Sequence, residues 1–174
     1  MLLLKGKINL FKEKEMKSEI IFKNYSTWRG RWGDEEGREI VIASSFENPA
    51  NWPFTLKRYD IEFDEDTYEE IKTESASIKL SKELFQRIKR TIENNRALAT
   101  CEEHIENSVR DGSCDEYTFS CDSFTRQIGG LSIYSCGYYE ADEVPASKRT
   151  DNYTVYKAIK DIEDVLAQEG ISLY

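Results

Sequence analysis

The chain has 174 residues, enough for one domain with a sizeable core, and its ten Tyr, eight Phe and three Trp exclude a solvated, disordered tail. A net charge of −9 repels phosphate backbones and argues against nucleic acid as a partner. The opening apolar run, Met1 to Leu4, stops at Lys5. An export signal needs about 7–15 apolar residues and a membrane span about 18, so a cytoplasmic protein with no membrane association is expected.

Residues 1–15 carry no clear periodic pattern and read as a loosely attached segment of a single domain spanning 1–174. Ile20-Ile-Phe22 lies in a first short strand, and Glu39 to Phe46 is rich in β-branched residues, as a central strand would be. Trp28-Arg-Gly-Arg-Trp32 and the residues up to Arg38 form the long connection of a hairpin. Asn48 to Pro53 turns the chain. In residues 54–63, Tyr59, Ile61 and Phe63 alternate with Asp60 and Glu62, a strand with one wet face. Ile78 and Leu80 suggest one more short strand.

Ser81 is suited to cap a helix, because its hydroxyl can accept an early backbone N–H, and Leu84, Ile88 and Ile92 then follow at helical spacing. A second helical stretch is predicted over about 97–109 from Leu98, Cys101, Ile105 and Val109. Then come three short strands, Tyr117–Cys121, Phe124–Ile128 and Leu131–Cys136, turned at Asp122-Ser123 and Gly129-Gly130. A polar loop over 140–150 precedes the clearest element, a helix capped by Asp151 with Val155, Ile159, Ile162 and Leu166 on one stripe. Strands in runs and helices in runs predict an α+β fold: an antiparallel meander of about five to seven strands with two or three helices packed on one face.

Charge is unevenly placed. Residues 1–31 hold eight Lys or Arg against three Glu, whereas Asp60 to Glu74 holds eight carboxylates and one Lys72. Asp64-Glu65-Asp66 lacks the spacing of a calcium loop and reads first as a solvated face. Cys101 and His104 stand three residues apart, half of a zinc site, but no Cys-x-x-Cys pair accompanies them, so no metal or other cofactor is expected. His104 is the only histidine, and no Gly-x-Ser-x-Gly elbow or phosphate-cradling glycine loop occurs.

These absences favour a binding protein over an enzyme. The expected activity is that of a small acidic cytosolic inhibitor, immunity-like and of bacterial type, masking another protein that is itself basic. The residues singled out for contact are Trp28, Arg29, Arg31 and Trp32, then Asp64, Glu65 and Asp66, then Tyr138 and Tyr139, since exposed aromatics and arginines dominate interfaces. The alternative is a metalloprotein or metal-dependent enzyme using Cys101 and His104 or dispersed carboxylates. A homo-oligomer joined through the acidic stretch is a third reading.

Overall fold

The computed structural model describes residues 18–29, 35–45, 53–64, 66–110 and 112–174. The chain order is β1 (Glu19–Arg29), β2 (Glu35–Ser44), β3 (Phe54–Phe63), β4 (Glu70–Lys79), α1 (Lys82–Asn94), β5 (His104–Ile105), β6 (Cys114–Ser120), β7 (Thr125–Leu131), α2 (Ile133–Glu143) and α3 (Asp151–Ala167). The strands form one sheet in the order β4-β3-β2-β1-β6-β7-β5. Every pairing is antiparallel except β5 with β7. This is the expected α+β fold, with the helices on one face.

The register shows which residues share that face, because directly paired residues project to the same side. Phe22 pairs with both Ile42 and Phe119, and Ile42 pairs with Leu56. All four are fully buried, and they meet Leu84, Phe85, Ile88 and Ile92 of α1 and Val155, Ile159, Ile162 and Leu166 of α3 in one core. Ser81 caps α1 as expected, its Oγ accepting from the Leu84 amide at 3.0 Å. The C-terminal tail crosses the same face, where Arg58 Nε donates to the Leu173 carbonyl at 3.2 Å.

The opposite face is a charged ladder. Glu39 of β2 is only 3 % exposed there, held by Lys23 at 2.6 Å and by Lys72. The Lys72 ammonium also lies 4.2 Å from the centre of the Tyr59 ring. Tyr59 and Ile61 therefore alternate as expected but project away from the helices, sharing the side of Glu39.

Several expectations change. Trp28 and Arg29 are the last residues of β1, paired with Glu36 and Glu35, so the hairpin connection is shorter than predicted. The strand before α1 is longer, because β4 pairs with β3 from Thr55 to Phe63. Residues 97–109 are not a helix: a 3-10 turn over Arg96–Thr100 ends at Cys101, and the chain then runs extended into β5. Its backbone groups find partners elsewhere. The Glu102 amide donates to Asp151 Oδ2 at 2.8 Å, Arg126 Nε to the Cys101 carbonyl at 2.9 Å, and the Gly129 amide to the Glu103 carbonyl at 2.8 Å. Asp151 thus serves this segment, while Thr150 occupies the cap position of α3.

A further change concerns Gly129-Gly130, which continues β7 instead of turning it. Gly130 is required there by close approach, since a Cβ would lie 2.4 Å from the Ile105 carbonyl of β5. Of the predicted third strand, Leu131–Cys136, Leu131 ends β7 and the residues from Ile133 onward begin helix α2. Residues 1–15, read as loosely attached, lie outside the described residues.

Candidate functional site

The helix-side face of the sheet turns polar at one end. Along β1, Phe22 gives way to Asn24, Ser26 and Trp28 in the same register. Opposite them β6 places Tyr117 against Asn24 and Asp115 against Ser26, and β2 places Arg38 against Ser26. Tyr134 of α2 and the terminal Tyr174 close the sides of a cavity of about 300 Å³ over these residues.

Its floor is a hydrogen-bonded chain. Asn24 Nδ2 donates to Ser26 Oγ at 3.2 Å, and Ser26 Oγ donates to Asp115 Oδ1 at 2.7 Å. Asp115 Oδ2 accepts the Ile133 amide at 3.0 Å, where α2 begins. Ser132, the residue before α2, sits at φ 51° and gives no side-chain cap, so Asp115 supplies the missing acceptor from another element. Burial pushes the Asp115 carboxyl above its ordinary range, against the pull of these hydrogen bonds. Burial also raises the hydroxyls of Tyr117, Tyr134 and Tyr174, so all three remain neutral donors at neutral pH.

From the cavity mouth a run of tyrosines continues over the surface. The Tyr174 ring meets Tyr134 at 6.2 Å, Tyr134 meets Tyr156 at 5.2 Å, Tyr156 meets Tyr138 at 6.0 Å, and Tyr138 meets Tyr139 at 5.7 Å, all edge to face. Tyr153 joins beside Tyr156 with the Arg149 guanidinium 4.2 Å from its ring centre. Gly137 lets α2 approach α3 closely enough for these contacts, since a Cβ there would stand 2.4 Å from the Asn152 carbonyl. Tyr138 is 55 % and Tyr139 67 % exposed. Edge-to-face rings hold one another in place, which lowers the entropy lost when a partner covers them.

Of the residues singled out from sequence, Trp28 lines the cavity and Tyr138 and Tyr139 end the tyrosine run, so the fold brings these into one surface. Arg29 closes β1. Arg31, Trp32 and Glu65 lie outside the described residues. Asp64 sits in the β3–β4 turn, at the far end of the sheet from β6. Its Oδ1 accepts from the Asp66 amide at 3.0 Å and the Thr67 amide at 2.8 Å, which holds its carboxyl below the usual range and shapes the turn. Asp66 is exposed beside it.

Cys101 is 1 % exposed and its thiol is pushed up to about 12 by burial and the nearby Asp151, whereas His104 stands exposed on β5. Among the described residues no three His, Cys, Asp or Glu side chains gather as a metal site would. Nor is any helix among them long and apolar enough to cross a membrane.

Sequence reasoning missed Asn24, Ser26, Asp115, Tyr117, Tyr134 and Tyr174. The only local signal was the change from Phe22 to Asn24 and Ser26 on alternate positions of one strand, a polar end to an apolar face. The chain matches no known protein-family model and no curated protein.

Proposed function

We propose that this chain is a protein-binding module, an inhibitor of the immunity-like kind acting in the cytoplasm, and that the tyrosine surface of α2 and α3 is its contact face. The observation that carries the reading is the unbroken run of rings from Tyr174 to Tyr139, packed edge to face, with Tyr134 and Tyr156 half-buried in its middle and Tyr174, Tyr138 and Tyr139 exposed at its two ends. Interfaces concentrate their binding energy in such aromatic anchors, and a half-open cavity beside them accepts a protruding side chain of the partner. The net charge of −9 favours a basic partner and speeds encounter with it.

The test is affinity capture from the native host with the wild-type chain and with Tyr138→Ala/Tyr139→Ala. The expected outcome is a basic protein retained by the wild type and weakened at least about tenfold by the double substitution, with an unchanged melting temperature. A partner held equally by both forms overturns the assignment of this face.

A further inference from the structure

β4 is an outermost strand of the sheet among the described residues, ten residues long and paired only with β3. An edge of that length offers a row of backbone donors and acceptors to another strand, and charged side chains or bulges normally guard it. Both devices are present, but neither blocks the edge here. Lys72 is drawn to the ladder face by Glu39 and the Tyr59 ring. The bulge falls at Ser75, between the pairs Tyr59 with Glu74 and Arg58 with Ala76, close to the middle of the strand.

That bulge selects one self-pairing. Side chains of Ile71 and Thr73 before it, and of Ala76 and Ile78 after it, project to the helix side, as their partners on β3 show. If two copies of β4 run antiparallel about a two-fold axis between Glu74 and Ser75, every pair on either side of the bulge, Thr73 with Ala76, Lys72 with Ser77, Ile71 with Ile78 and Glu70 with Lys79, stays on a common face. Ile71 then lies opposite Ile78 of the second copy, and Glu70 opposite Lys79, each twice by symmetry. An axis at Glu74, at Ser75, or between Thr73 and Glu74 sets helix-side positions against ladder-side ones, and an axis between Ser75 and Ala76 sets Lys72 opposite Lys79 of the second copy.

We propose that two copies of this chain associate edge to edge through β4 in this register, joining the seven strands described in each copy into one continuous sheet. The chemistry of the edge is self-complementary. Ile71 is 49 % exposed in the single copy and gains an apolar neighbour. The acidic end, Glu69 and Glu70, meets the basic end, Lys79 and Lys82, and all four side chains are exposed. The same register carries the turn before β4, where Tyr68 is 82 % exposed at φ 56°, toward Ser81 of the second copy.

The experiment is sedimentation of the full-length chain from about 1 µM to about 0.2 mM, with Glu70→Lys, Lys79→Glu and the two combined. The wild type is expected to shift with concentration from 20.3 kDa to twice that mass. Each single substitution sets like charges opposite each other twice and is expected to weaken the dimer about tenfold, whereas the combined swap restores it. Lys79 is exposed, so Lys79→Glu keeps the test valid if Glu70→Lys proves unstable. A wild type that stays monomeric, single substitutions that leave a dimer untouched, or a swap that stays as weak as they are each overturn the proposal.

Discussion

Asp115 of β6 reaches the first turn of α2 and accepts the Ile133 amide at 3.0 Å. One buried carboxylate therefore joins the sheet to the helix that carries the tyrosine surface. Asp115→Ala is expected to cost about 1–3 kcal/mol, because it strands the Ile133 amide and the Ser26 hydroxyl in a buried setting. Asp115→Asn keeps an acceptor and should cost less, as urea titration of both variants would show.

The same residue predicts a pH effect. Burial raises the Asp115 carboxyl above its ordinary 3.8, so the folded state binds this proton more tightly than the unfolded one. Its contribution to stability is full below 3.8 and is lost as pH rises through the folded value. The wild type should gain on Asp115→Asn as pH falls through that window. A margin that narrows on acidification would show that the charged form is the one the fold prefers.

Glu39 is buried on the ladder face, but Lys23 and Lys72 that hold it are each more than a third exposed. Solvent screens such pairs and lets the lysines relax when the acid is removed. Glu39→Gln is therefore expected to cost only about 1–2 kcal/mol, below the cost of breaking a fully buried pair. Chemical denaturation at low and high salt checks this, and the loss should shrink as salt rises.

Ile159 is fully buried at the centre of the α3 stripe. Ile159→Asp is expected to destabilise by about 4 kcal/mol or more, enough to unfold a marginal domain. Unchanged thermal melting would mean that this face of α3 does not pack.

The four cysteines should differ in reactivity. Cys114 is exposed, whereas Cys101 is buried with its thiol raised to about 12. A thiol reagent at neutral pH should label Cys114 first and Cys101 only on unfolding, as mass spectrometry of timed samples would read.

Elements whose burial pattern repeats locally are legible in the order of residues alone. Leu84, Ile88 and Ile92, and Val155, Ile159, Ile162 and Leu166, lie on single stripes that only a helix against a core can hide. The strands around Ile40, Leu56 and Phe119 were legible for the matching reason, and with them the α+β class. Contacts between distant parts of the chain set the rest. Helix α2 begins where it does because Asp115 accepts its amide, and its tyrosines face outward, so its own pattern carries little apolar periodicity. Strand β5 forms because Gly130 admits it and Glu103 accepts from Gly129. The cavity floor joins Ser26 to Asp115 across 89 positions of chain. Local propensity cannot register a partner so distant, and it is the register of β1 against β6 that turns scattered polar and aromatic residues into one surface.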